Sequence, residues 1–239
     1  MKKSGGVVMR GKSTKLSLSC AVFLFICMLA CAVCVASAKT IYVPDDYEKI
    51  QWAVDNASAG DTIIVRDGIY YEHVNVNKQL TLKSENGSAN CIVDAGGSGS
   101  PITLYADGIS IEGLTLRNSS WPYAGIEVYS NNNSITDNYI SNNDDGIYLR
   151  DSSNNSITDN YISSNYFDGI DLWYSSNNSI YLNNFIDNSD NVCSYDSANI
   201  WNSTEEMTYT YNGKTYTSYL GNYWSDYTCL LYTSPSPRD

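Results

Sequence analysis

The sequence predicts an all-β solenoid, a parallel β-helix with coils of about 22 residues, from three observations: one segment recurs three times, its apolar residues fall into register, and asparagine recurs at fixed places. The copies NNSITDNYISNNDDGIYLRDSS, NNSITDNYISSNYFDGIDLWYSS and NNSIYLNNFIDNSDNVCSYDSA begin at Asn132, Asn154 and Asn177, 22 and 23 residues apart. Such a unit has no core alone and must bury its apolar residues against its neighbours.

With one extra residue allowed in the second copy, Ile135, Ile157 and Ile180 align, as do Ile140, Ile162 and Phe185. Ile147, Ile170 and Val192 form a third column, and Leu149, Leu172 and, as a departure, Ser194 a fourth. Polar residues alternate with these positions, as in short strands. A worn copy upstream supplies Ile111, Leu116, Ile126 and Val128. Coils stacked about 4.8 Å apart bury such columns as a continuous apolar cylinder. Asn138, Asn160 and Asn183, and separately Asn133, Asn155 and Asn178, are expected to form side-chain ladders, because Asn tolerates left-handed turns and its amide both donates and accepts.

In chain order, residues 1–38 read as an export signal: Lys2, Lys3, Arg10, Lys12 and Lys15, then the apolar run Leu16 to Val35 and the small-residue site Ala36-Ser37-Ala38. The alternative is a retained anchor, since the run is long enough to span a bilayer. Cleavage would leave nine basic residues against 26 acidic ones, a surface that repels nucleic acid and anionic lipid and leaves cations and neutral glycans as partners. Cys20, Cys27, Cys31 and Cys34 belong to the signal, and Cys91 and Cys193 are too many coils apart for a disulfide.

Residues 39–59 are expected to form an opening strand, Lys39 to Val43, and a helix within Tyr47 to Ala57. That helix would be capped by Asp45 or Asp46, present Ile50, Ala53, Val54 and Ala57 on one face, and close one end of the solenoid. The β-helix proper is placed at 60–205. Its first, irregular coils are Thr62 to Arg66, Ile69 to Val76, Gln79 to Lys83, Cys91 to Val93 and Pro101 to Tyr105. Residues 206–228 read as a cap, with Asn212-Gly213 turning a hairpin between Met207 to Tyr211 and Lys214 to Tyr219, and Gly221 to Tyr227 packing over the last coil. The stretch 229–239, CLLYTSPSPRD, matches the conceptual translation of a transposase-type sequencing adapter and is expected to be read-through, the alternative being a genuine Pro/Ser tail.

The segment IYVPDDYEKIQWAVDNASAGDTIIVRDGIYYEHVNVNKQLTL resembles the opening of pectin-lyase-like right-handed β-helices. The NNSITDNYI and DGIYL repeats and the closing YLGNYWSDY resemble NosD-type β-helix proteins. The resemblance spans roughly Lys39 to Tyr227 and implies a right-handed coil, and either an archaeal surface role or an accessory role in copper-enzyme maturation. Fold resemblance does not by itself carry an activity.

Asp145, Asp168 and Asp190 align on successive coils beside Asp144 and Asp171, with Arg150 near. Stacked carboxylates recruit a hard cation such as Ca²⁺, as a polysaccharide lyase would need, or else these residues only open turns before Gly146, Gly169 and Asn191. Ca²⁺ is thus the one cofactor weighed, and no cofactor is expected otherwise. No Gly-x-Val-Asp-Phe-like segment of a pectin methylesterase is present. His73, Met207, Cys91 and Cys193 are too few and too scattered for a dedicated copper site. Tyr148, Asp171, Trp173 and Tyr174 are the expected sugar-binding residues, the plainer reading being that Tyr suits an outward strand position. Sequons at Asn56, Asn86, Asn118 and Asn202 are glycosylation candidates, and those at Asn132, Asn154 and Asn177 recur with the repeat.

The reading that combines these is an exported, non-catalytic surface β-helix, structural or adhesive, with glycans or other surface proteins as partners. Its rivals are a Ca²⁺-dependent polysaccharide lyase and a metal-delivery accessory. Contact with a membrane is expected only through the export segment or an anchor beyond residue 228.

Overall fold

The structure, a computed structural model, describes residues 37–226. The expected tail, 229–239, and all but the last two residues of the expected export segment lie outside the described residues.

Each coil gives one short strand to each of three parallel sheets. The first sheet runs from Thr40–Val43 to Ser179–Tyr181, the second from Gly68–Tyr71 to Tyr223–Trp224, and the third from Val74–Val76 to Asp190–Tyr195. The columns expected from the repeats are the observed ones: Ile135, Ile157 and Ile180 pair in register, as do Ile140, Ile162 and Phe185, and Ile147, Ile170 and Val192. All of these except Val192 are fully buried. The expected single run Ile69 to Val76 is divided, because the coil turns its corner between Gly68–Tyr71 of the second sheet and Val74–Val76 of the third. Ile69 is consequently half exposed while Val74 is buried.

The ladder asparagines are buried at the turns. They do not take the left-handed conformation themselves. The residue before each one does: Asn132, Asn154 and Asn177 before one column, Asp137, Asp159 and Leu182 before the other, all with φ between 56° and 60°. One left-handed residue bends the chain and aims the next side chain inward. There Asn138 donates from its backbone N–H and its Nδ2 to Asn160 Oδ1, both at 3.0 Å, and Asn160 does the same to Asn183. A third ladder, Asn143, Asn165 and Asn188, follows the same rule behind Asn142, Ser164 and Asp187.

Helix α1 (Ile50–Asn56) closes the first end with Ile50, Ala53 and Val54 buried. Its capping carboxylate comes from neither Asp45 nor Asp46, contrary to the local expectation. Glu72 accepts the Ile50 and Gln51 N–H groups, each at 3.0 Å, while Asp46 accepts from Tyr42 N–H and Asp45 pairs with Arg66. Two ordered carboxylate oxygens from the next coil satisfy two orphan donors at once, which a residue preceding the helix does not match here.

At the other end the hairpin forms as expected, with Asn212 and Gly213 both at positive φ, but it does not cover the solenoid. Its strands, Met207–Tyr211 and Lys214–Ser218, are exposed or half-exposed. The cover is aromatic. Trp224 stacks on Phe185 at 4.5 Å between ring centres, and Trp201 leans on Trp224 at 5.9 Å. The hairpin is an insertion within this last, partial coil, which resumes when Asn222 accepts from Asn183 and Tyr223–Trp224 joins the second sheet.

Candidate functional site

The third sheet carries the longest strands of the repeats, Asp145–Arg150, Asp168–Trp173 and Asp190–Tyr195, six residues each. Within them Gly146 and Gly169 are strand residues without positive φ, so the turn reading of the preceding aspartates is set aside. The glycines are required by close approach. A Cβ on Gly146 would lie 2.6 Å from Ile162 Cγ2, and one on Gly169 would lie 2.8 Å from Phe185 Cδ1.

Register then sets out the outer face. Glu127, Tyr148, Asp171 and Cys193 form one column, and Arg150, Trp173 and Tyr195 the next. Tyr105 and Tyr129, each one residue beyond the paired Leu104 and Val128, extend the second column and stack at 5.7 Å. Trp173 and Tyr195 lie 4.8 Å apart, and Tyr174, at the turn with φ 51°, meets the Tyr195 ring edge-on at 5.4 Å. Trp173, Tyr174 and Tyr195 are 37%, 50% and 46% exposed, so the cluster faces solvent.

Asp171 differs from expectation. It shares the outward column with Tyr148 yet is only 9% exposed, because the Trp173 indole folds over it and donates from Nε1 to Asp171 Oδ2 at 2.9 Å. Its other oxygen, Oδ1, is buried without a hydrogen-bond partner. Asp171 therefore orients an aromatic platform and is not itself presented to solvent.

The carboxylates around it are crowded. The Asp168 N–H donates to Asp145 Oδ1 at 3.0 Å, tying the two coils. Burial, and then the charges of Asp145, Asp171 and Asp190, push the Asp168 carboxyl up to about 7. Asp145 is raised to about 6, first by burial and then, against the Asp168 N–H bond that favours its anion, by Asp171 and Asp144. Asp171 is raised by burial, against the nearby Cys193 thiol, the Trp173 indole and the Leu172 N–H, which favour its charge. Burial, then the neighbouring Asp171, holds the Cys193 thiol up at about 12. Of the stacked set expected for Ca²⁺, Asp145, Asp168 and Asp190, Asp168 alone belongs to the group whose ligand atoms converge among the described residues, and Asp190 is exposed on the edge strand. The potential ligand atoms of Asp168, Asp171 and Cys193 are the ones that lie within 4.8 Å of one another.

Beside this face, at the corner between the second and third sheets, a groove of about 460 Å³ is lined by Trp121, Tyr166, Asp144 and the small polar residues between them. Trp121 and Tyr166 are 75% and 72% exposed. Tyr166 and Phe167 stand where the first repeat has Asp144 alone, so the one extra residue of the second repeat is the sequence signal of this groove.

The remaining candidates separate by environment. Asn138, Asn160 and Asn183 are internal ladder members. Asn56, Asn86 and Asn202 are exposed. Asn118 is half-buried, and its Nδ2 donates to buried Asp94 at 2.8 Å.

Residues 89–229 match the family model described as periplasmic copper-binding protein (NosD), a span of more than half the chain. The chain belongs to the NosD family. A cell surface glycoprotein of Methanothermus fervidus is 44% identical over 84 residues, which are 34% of this chain and 14% of that protein. The chain thus spans about one-seventh of that relative. Among solved structures, a pectin methylesterase in complex with a hexasaccharide matches over 77% of this chain and 85% of its own, with 15% identity and a TM-score of 0.50. The pectin methylesterase PemA from Erwinia chrysanthemi covers 78% and 89%, with 14% identity and a TM-score of 0.41. At such identity the first of these supports the β-helix fold and nothing beyond it.

The copper of the family description calls for thiolate, thioether or imidazole ligands. Among the described residues of this NosD-family chain, Cys91 is sealed in the core and His73 Nδ1 lies 3.1 Å from the Ser100 carbonyl. Met207 stands on the hairpin and Cys193 on the last strand of the third sheet. These four do not converge, and the residues present do not fit a copper site.

Proposed function

We propose that this chain is a non-catalytic module of an exported surface protein and binds a neutral polysaccharide along the third sheet. The observation that carries the reading is the outer column Tyr105, Tyr129, Arg150, Trp173 and Tyr195, in which four exposed aromatic residues are in register along the solenoid axis and one arginine separates them into two pairs. Coils repeat every 4.8 Å or so, which sets the pairs Tyr105–Tyr129 and Trp173–Tyr195 as ring platforms for sugar faces on either side of Arg150, whose guanidinium can donate to hydroxyls. The surface relative supports the location, and the net charge of −12 disfavours polyuronates, whose carboxylates the protein would repel.

Isothermal titration against neutral polysaccharides and polygalacturonate tests this. Trp173→Ala and Tyr195→Ala are expected to weaken neutral-glycan binding at least tenfold with unchanged circular dichroism. Absence of binding to every neutral glycan, or binding indifferent to both variants, would overturn it.

A second reading, a carbohydrate-active enzyme, draws on Asp145 and Asp168, whose raised carboxyls are suited to acid–base work near neutrality. Turnover of a uronic-acid polymer with added Ca²⁺, abolished by Asp168→Ala, would establish that reading in place of the first.

A further inference from the structure

We propose that Asp168, Asp171 and Cys193 form a binding site for a borderline divalent cation of the Zn²⁺ class, independent of the glycan reading. Two adjacent strands supply the ligands, with Asp171 paired in register to Cys193, and Asp168 to the residue three positions before Cys193. Their ligand atoms already lie within 4.8 Å of one another.

A separate observation points to a ligand. Asp171 is 9% exposed, and its Oδ1 meets no donor in full hydrogen-bonding geometry; the Cys193 thiol interacts with the carboxylate, but as a weak donor it satisfies a buried anion poorly. A buried carboxylate oxygen left without a donor is costly, and native structures seldom keep one without compensation. The charged groups facing the cluster do not provide it: Asp145 and Asp190 are carboxylates, and Arg150 lies in the neighbouring column, 3.7 Å from Asp151. A cation held between Asp168 and Asp171 would satisfy Oδ1 and offset the repulsion together.

The donors select the metal. Ca²⁺ takes six to eight oxygens, and Cu⁺ prefers thiolate, thioether and imidazole, whereas two carboxylates with one thiolate suit tetrahedral Zn²⁺ with a fourth position open to water. Tetrahedral bond lengths place such ligand atoms about 3.3–3.5 Å apart, so the side chains must draw inward on binding. Binding releases the thiol proton to solvent.

The full chain, reduced and stripped of metal with chelator, is alkylated with iodoacetamide with and without one equivalent of Zn²⁺, and modification is read at each cysteine by peptide mass spectrometry. Zn²⁺ is expected to slow alkylation of Cys193 at least tenfold, Ca²⁺ is expected to leave it unchanged, and Asp171→Asn is expected to abolish the protection. No protection by Zn²⁺, equal protection by Ca²⁺, or full protection in a folded Asp171→Asn variant would each overturn the proposal. The wild-type arms decide even where a variant fails to fold. Cd²⁺ titration supplies a second readout, because its ultraviolet thiolate charge-transfer band must vanish in Cys193→Ser, and a band that persists there counts against the site.

Discussion

Asn160 donates from Nδ2 to Asn183 Oδ1 at 3.0 Å, so a fully buried amide is handed from one coil to the next. The same Nδ2 also donates to the Ile135 carbonyl at 2.8 Å, and Asn160 Oδ1 accepts twice from Asn138. Every polar atom of the side chain is therefore used. Asn160→Ala removes these bonds and leaves a buried backbone N–H and a carbonyl unpaired. A loss of about 2–4 kcal/mol is expected from urea unfolding, whereas a change in an exposed turn residue such as Asp137 to Asn should cost well under 1 kcal/mol.

Gly146 should be equally intolerant for a steric reason. A methyl group there meets the Gly169 carbonyl oxygen most closely, then Ile162 Cγ2 at 2.6 Å and Asn165 Nδ2 at 3.0 Å, all inside the packed coil. Gly146→Ala is expected to destabilise by about 1–3 kcal/mol in urea unfolding, because the nearest neighbour of the added methyl is a backbone carbonyl that cannot turn aside. A cost below about 0.5 kcal/mol would show that the crowding is not where the structure places it.

Stability should rise as the pH falls from neutrality. Asp168 at about 7 and Asp145 at about 6 are both above their ordinary value of 3.8, so between those limits the folded chain binds protons that the unfolded chain does not. The opposite holds for Asp94. Burial alone would raise it, but bonds from Asn118, the Gly96 N–H and Arg117 outweigh burial and lower it, so its contribution is present above about pH 4 and is lost below that. The thermal midpoint, measured in chelator, is expected to be highest on the mildly acidic side. Asp168→Asn should raise it most at alkaline pH and flatten the slope, and a wild-type optimum above neutrality would refute this assignment.

How much was legible follows from the period. The Ile and Asn columns recur every coil, so their register is readable from the repeats. The third ladder, Asn143, Asn165 and Asn188, has the same intervals of 22 and 23 residues and is equally legible in the repeats. Glu72 as the helix cap, and Trp224 stacked on Phe185, were beyond such reasoning. The first joins elements of an irregular coil, and the second follows a hairpin inserted into the last one.

By itself, then, the sequence determined the coil length, the inward residues and the asparagine ladders, since stacking identical units makes sequence spacing a spatial coordinate. Only the tertiary structure decided which outward residues are accessible. Asp171 and Tyr148 share a column, yet one is covered by an indole and the other is half exposed, because burial on an outer face depends on how neighbouring side chains fold over it. The convergence of Asp168, Asp171 and Cys193 arises in the same way, from side-chain direction across two strands, which a period of residues does not encode.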